Sequence, residues 1–278
     1  MKKVLTICLI FSAVVGTATP LIWRGASCLK PGQFIGHLFF TYSQTTKTYD
    51  WTNKEWKDLA ADKRVTTFST QVMVGFSPIK NLELKLMAPL TAKSMDTFHS
   101  FGLGDLWLKT RYGLISQKLS PVKFTLSGAL VLPTSPKDAK PALDDRVTKI
   151  GLGGILQTKD LGPFIGHLRF GYWLNGKKND TTKMGDMFEY FAKVDYKVMP
   201  MITAFLTLLG TMEGKTKINN VAIDKTEKDR HNLQFGLIFK PIPILWIRPK
   251  AAFPLLFLCK GGAIAPFTLG LDFWVIAP

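Results

Sequence analysis

Four histidines, His37, His99, His167 and His231, are the side chains of this sequence that change charge near neutral pH without help from their surroundings. Two of them lie in identical pentapeptides, Phe-Ile-Gly-His-Leu, at 34–38 and 164–168. A repeated histidine could act as a general base or hold a metal. For nucleophilic catalysis it would need a serine or cysteine beside it and a third group to orient it. Ser69 and Ser127 fall in suitable stretches, but no local motif couples either to a histidine. No cluster of His, Cys, Asp or Glu has metal-ligand spacing. Cys8, Cys28 and Cys259 are too few and too scattered for a disulfide framework. No enzymatic site, metal or other cofactor is expected. "GLGD" at 102–105 and "GLGG" at 151–154 are spelled like phosphate loops but precede no helix. Inside strands, such glycines serve curvature or close approach.

Basic side chains are the other chemical resource. The formal net charge is +16 and the sequence pI is near 9.7, a balance that attracts anions. No Arg-rich run or basic helix accompanies it, and the targeting segment described below points to export, so nucleic acid is not an expected partner.

What must position these residues is a pattern of period two. Leu106, Leu108, Thr110, Tyr112 and Leu114 alternate with Asp105, Trp107, Lys109 and Arg111. Val122, Phe124, Leu126, Gly128 and Leu130 alternate with Lys123, Thr125, Ser127 and Ala129. Alternation over about ten residues describes a strand between two different surroundings. Twelve such strands are predicted, near 33–43, 64–76, 82–89, 103–115, 122–132, 146–157, 164–174, 187–198, 201–211, 232–240, 244–253 and 265–276. Short turns containing Pro78, Pro121, Pro163, Pro200, Pro241 and Pro243 alternate with longer polar connections such as 44–63, 133–145, 175–186 and 212–231.

The N-terminus reads as an export signal. Lys2 and Lys3 precede an apolar run from Val4 to Val15, and Gly16 and Ala18 are placed for cleavage after residue 18. Gly25-Ala26-Ser27 before Cys28 spells part of a lipoprotein signal, without the usual leucine. No later stretch is long and apolar enough to cross a membrane as a helix. Export, an even number of strands and short turns alternating with long loops together predict an all-β, closed antiparallel transmembrane barrel of the bacterial outer membrane. The expected organisation is a signal peptide at 1–18, an N-terminal periplasmic segment at 19–32 and the barrel at 33–278. A soluble two-sheet sandwich is the alternative, which membrane fractionation would distinguish.

In a barrel the apolar set of each strand meets lipid and the other set meets the lumen. The lumen-facing candidates are His37, Lys85, Asp105, Lys109, Arg111, Lys123, Lys149, His167, Arg169, Lys193, Lys197, Arg248 and Lys250, with Glu83, Glu189, Asp195 and Asp272 as further acids. The excess is basic, and fixed cations in a narrow pore concentrate anions. His37 and His167 are expected to point inward at equal height, half a barrel apart. Tyr42, Phe76, Tyr112, Tyr172, Trp173, Phe253 and Trp274 suit interfacial girdles.

"GLGDLWLKTRYGL" at 102–114, "LSGALVLPTSPKD" at 126–138 and "KIGLGGILQTKDLGPFIGHLRFGYWLNG" at 149–176 together resemble the outer-membrane family named for the MetA pathway of phenol degradation, whose members are described as transporters. In that family a strand opens with Gly-x-Gly-Asp and a later one ends in Leu-Pro-Thr before a long loop. Pro133 and Thr134 match, while Ser135 replaces the usual glycine. The likeness covers the middle third of the chain, and the remainder agrees only in its strand pattern. It implies a barrel that admits small, often aromatic or apolar, compounds. Outer-membrane barrels also commonly end on an aromatic residue read by the insertion machinery; here Phe273 and Trp274 are followed by Ala277 and Pro278.

The expected function is an outer-membrane channel or facilitator for passive uptake of small solutes, with aromatic or anionic compounds as candidates. The expected partners are outer-membrane lipid, the barrel insertion machinery and a small-molecule solute. The alternatives are a non-transporting structural or adhesion barrel and a lipid-modifying barrel enzyme.

Overall fold

The computed structural model describes residues 25–115 and 120–277. The signal peptide expected at 1–18 lies outside them. Twelve strands make the wall: β1 (Phe34–Thr45), β2 (Val65–Phe76), β3 (Leu82–Met95), β4 (Leu106–Ile115), β5 (Val122–Leu132), β6 (Lys149–Thr158), β7 (Phe164–Asn175), β8 (Met187–Met199), β9 (Ile202–Glu213), β10 (Lys228–Ile242), β11 (Leu245–Pro254) and β12 (Thr268–Ala277). Each pairs antiparallel with the next. The wall closes because β1 also pairs with β12, from Phe34 opposite Ala277 to Ser43 opposite Thr268.

At the end where β1 begins, the connections are short: 77–81, 159–163, 200–201 and 243–244. At the other end they are long: 46–64, 133–148, 176–186, 214–227 and 255–267. Prolines at the short turns remove no ladder hydrogen bond. One expected long connection, between the third and fourth strands, is instead a projecting hairpin. β3 runs on to Met95 and pairs with a short strand, Phe98–Leu103, across a turn at Asp96-Thr97. Asp96 has φ +52°, a left-handed value that Asp tolerates in tight turns. Gly104 and Asp105 separate this short strand from β4, so the Gly-Leu-Gly-Asp motif marks a break in one continuous course of chain.

Alternation divides the side chains as a closed barrel requires. Leu84, Leu86, Leu108, Leu126, Leu152, Leu206, Phe235 and Leu237 are exposed on the outer face. Hydrocarbon supplies no hydrogen-bond partner, so only a sheet without free edges can present such a belt to it. Tyr42, Tyr112, Tyr172 and Phe253 are exposed, as girdle residues should be. Trp173 and Trp274 are not girdle residues: at 2 % and 3 % exposure both are buried in the interior. Their position in the alternation is that of Arg169 and Asp272, and that position sends them inward.

Glycine makes room for this interior. A Cβ at Gly151 would lie 2.7 Å from Cε3 of Trp173, and one at Gly171 would lie 2.9 Å from a carboxylate oxygen of Glu189. The apparent phosphate loop of β6 is a recess that accepts an indole. Replacing Gly151 by valine should displace Trp173 and cost about 1–3 kcal/mol. Gly36→Ala, with nothing within 4 Å of the new Cβ, should cost little by comparison. The temperature at which each variant loses its fast-migrating, folded band on a gel checks the difference.

Candidate functional site

The inward side chains form three zones along the barrel axis. At the short-turn end the lumen is filled by the chain itself. Residues 25–29 enter from the N-terminus and run against inward side chains of β3, β4 and β5. Arg111 donates to the Gly25 carbonyl (2.5 Å), Thr125 to the Ala26 carbonyl (2.5 Å) and Lys123 to Ser27 Oγ (2.7 Å). The Leu29 N–H donates to Glu83 (3.2 Å), and Ser77 donates to the Leu29 carbonyl (3.3 Å). Ala26 and Leu29 are buried. The segment expected to stand outside the barrel in the periplasm therefore occupies its lumen over these residues. Its anchors are the very cations, Lys123 and Arg111, that alternation turned inward.

The middle zone combines charge with aromatic rings. Glu83 pairs with Lys85 and lies 3.9 Å from Arg111. Arg169 pairs with Glu189. On the opposite wall Asp272 takes Arg248 and, at 3.2 Å, Lys250. Asp195 takes Lys193 at 2.7 Å and His167 at 2.8 Å. Rings cover many of the same cations: Lys109 lies 4.4 Å from the Trp107 ring, Lys193 5.1 Å from Phe205, Lys240 4.3 Å from Trp246, Arg248 4.8 Å from Trp274 and Lys250 3.8 Å from Phe39. Face contacts of this kind stabilise a cation by about 0.5–2 kcal/mol where water is excluded.

The repeated pentapeptide now divides into two environments. His167 is held by Asp195. His37 stands edge-on to Trp274 at 5.2 Å, and its Nε2 has no hydrogen-bond partner among the described residues. The strands repeat; the chemistry does not.

In the outer zone two adjoining cavities, of about 150 and 160 Å³, open toward the long loops. Met87, Trp107, Trp173 and Glu189 line the first; Phe39, Phe191, Gln234 and Lys250 line the second. Loop 133–148 folds inward over the first. Its Leu143 is buried, and Lys93 donates to the Ala142 carbonyl at 2.8 Å. Ile264 and Ala265 of loop 255–267 line the second cavity.

Two expected lumen residues are placed otherwise. Asp105 is fully buried and accepts from the N–H groups of Ser135 (3.0 Å) and Arg146 (3.1 Å), so it fastens loop 133–148 to the wall and does not line the pore. Lys197 is exposed at the short-turn rim, paired with Asp160 of the 159–163 turn, because β8 has emerged from the lumen by that residue. Lys149 pairs with Asp145 at 2.6 Å at the mouth. Sequence reasoning missed the entering segment, the inward loop and the interior tryptophans. Only the tryptophans had a signal available, their position in the alternation.

Asp144, in loop 133–148, lines the first cavity and accepts from the Asp105 N–H at 3.2 Å. Burial, with the Asp105 and Asp145 carboxylates beside it, raises its pKa to about 6. The folded state thus holds this proton more tightly than the unfolded chain. Docking of the loop should strengthen as pH falls through about 6 and weaken as it rises. Hydrogen exchange of residues 133–148 should slow between pH 7.5 and pH 5, after correction for intrinsic rates, and Asp144→Asn should remove most of that change.

No family model matches the chain, and no curated protein matches it. Solved structures do. A COG4313 outer membrane channel from Pseudomonas putida F1 superposes with a TM-score of 0.79 at 16% identity, over 92% of this chain and 100% of that one. The NanC porin gives 0.53 at 10% identity, over 86% and 98%. The β domain of the Bordetella autotransporter BrkA gives 0.50 at 8% identity, over 88% and 99%. Identities this low speak for the fold. With its closed wall and apolar belt, the chain is a twelve-stranded β-barrel of the bacterial outer membrane.

Proposed function

We propose that this barrel is a channel for passive entry of small solutes and that it favours anions. The observation that carries the reading is the interior. Lys85, Lys109, Arg111, Lys123, Lys149, Arg169, Lys193, Arg248 and Lys250 line it from end to end, between apolar rings and beneath open outer cavities. A structural barrel has no need to keep so many cations in a space of low dielectric, where each costs desolvation. Fixed positive charge in a narrow passage lowers the barrier for anions and raises it for cations. The names of two fold relatives, an outer membrane channel and a porin, agree with this reading. The resemblance to the family named for the MetA pathway of phenol degradation adds aromatic compounds as a solute class, which the tryptophan-lined middle zone suits.

Residues 25–29 close the short-turn end in this reading, and passage requires them to shift. Of their five anchoring hydrogen bonds, the two neutral ones contribute about 0.5–1.5 kcal/mol each and the three that involve a charged group about 1.5–3 kcal/mol each.

Single-channel recording in planar bilayers tests the proposal. Under a KCl gradient the reversal potential should indicate chloride over potassium. Equal permeabilities would end the anion claim, and an absence of current steps from folded protein would favour a non-transporting barrel. Glu83→Gln, which weakens the hold on Leu29, and Thr125→Val, which removes the donor to Ala26, should together raise the mean conductance several-fold.

A further inference from the structure

The charges of the middle zone do not balance, and the imbalance has an address. Lys85 on β3 and Lys109 on β4 are directly opposite partners in the ladder, a juxtaposition of like charges that destabilises a sheet. Lys85 escapes it by pairing with Glu83 on its own strand. Lys109 makes no ion pair among the described residues. Its Nζ is 3.8 Å from the sulfur of Met87 and 4.4 Å from the Trp107 ring, and the residue is 5 % exposed. Its charged neighbours are Arg169, Glu189 and Lys85. Glu189 is engaged by Arg169, and Glu83 is shared between Lys85 and Arg111. Four cations therefore face two carboxylates.

The surroundings of this ammonium are as specific as its charge. Met87 and Trp107, its two contacts, also line the first outer cavity. Trp173 completes that wall, T-shaped to Trp107 with ring centroids 5.5 Å apart. It lays its benzo edge against Gly151, and its indole N–H has no acceptor among the described residues. Met73 packs against Met87 beneath. The cavity carries charged groups elsewhere on its lining, among them Lys93, Asp144, Lys149, Glu213 and Arg230. Where it adjoins Lys109, however, its wall is Met87 and Trp107, flat and apolar, and behind them stands a cation with no ion pair among the described residues.

We propose that Lys109 is the anchor of a discrete binding site for a small organic carboxylate with a flat apolar body. The carboxylate neutralises the ammonium, and the body lies against Trp107, Trp173 and Met87. This deepens the channel reading by giving its path one specific resting point. A neutral aromatic lacks the ionic anchor, a short aliphatic acid lacks the body, and an aromatic amine meets repulsion from four cations.

Calorimetric titration of the full-length folded protein in detergent micelles tests the site without requiring transport. The probes are benzoate, benzyl alcohol, acetate and benzylamine. Benzoate should bind saturably at one per barrel and at least ten-fold more tightly than each of the other three. Lys109→Met, which keeps the shape and removes a buried charge, should weaken benzoate at least ten-fold and leave benzyl alcohol unchanged. Lys109→Arg should keep benzoate within a few-fold of the parent. Benzoate no tighter than benzyl alcohol, or unaffected by Lys109→Met, overturns the site. Current steps in bilayers together with either of those results would remove this site and leave the channel. Benzoate binding without current would do the reverse.

Discussion

Every feature of the interior follows from the fact that hydrocarbon offers no hydrogen-bond partner to a peptide group. The sheet must close on itself, and β1 meets both β2 and β12 along nearly its whole length to do so. Closure with strict alternation then leaves no choice about the other half of the side chains. They fill a confined space whatever their chemistry, and the same rule that exposes Leu108 to lipid buries Lys109 and Arg111. Charges so enclosed need partners at close range, because little water remains to solvate them. The barrel supplies partners at the two shortest spacings its geometry offers. Arg248 and Asp272 face one another across a ladder, as do Glu83 and Arg111. Lys193 and Asp195, like Glu83 and Lys85, are successive inward residues of one strand.

The same constraint explains the motifs that carry the family resemblance. Gly-Leu-Gly-Asp and Leu-Pro-Thr-Ser are distant in sequence but form one joint. Thr134 Oγ1 accepts from the Leu106 N–H and donates to the Gly104 carbonyl, both at 3.0 Å. Asp105 gathers the N–H groups of Ser135 and Arg146. Where the ladder breaks at Gly104, backbone groups lose their strand partners, and these side chains supply replacements. The gain is a loop secured at both of its ends. That fastening lets its middle, with Leu143 and Asp144, turn inward over the cavity. The residue type at Ser135 matters little to the joint, because Asp105 uses its backbone N–H and not its side chain.

Strand order and closure were legible because alternation and turn chemistry are local. All twelve strands lie where period two put them, with differences confined to ends such as Met95 and Lys228. The inward direction of Lys85, Lys109, Arg169, Lys193, Arg248 and Lys250 was legible for the same reason. Residue type suits Trp173 and Trp274 to girdles, but their position in the alternation sends them inward. Position prevails because a one-residue slip would turn every neighbour on the strand to the wrong face. The entry of residues 25–29 into the lumen was not legible. It depends on complementarity between an irregular backbone and side chains from β3, β4 and β5, and no spacing in the sequence encodes that meeting. Asp105 and Lys197 failed as lumen residues for a related reason. Alternation fixes the side of the wall, while height along the axis decides whether that side is lumen, joint or rim.

The two ways in which the lumen treats positive charge separate what is structural from what is available. Glu83 holds Lys85 and lies beside Arg111 whether or not Leu29 donates to it, so that pairing does not depend on the entering segment. Departure of the segment would break two neutral hydrogen bonds and three that involve a charged group, and it would take from Lys123 its Ser27 partner. Lys109 is in the opposite position. Its neighbours soften its charge through a thioether and a ring face but do not cancel it, and the carboxylates within reach are already committed. A buried cation left in that state destabilises the folded barrel relative to one in which Lys109 is neutralised. An anion bound at the proposed site would recover that energy as binding. A barrel selected for stability alone would have placed methionine or leucine here, as it does two residues along β3 at Met87, opposite Trp107. The charge at Lys109 is thus one that the fold does not need for its own stability, which is what the proposed carboxylate site accounts for.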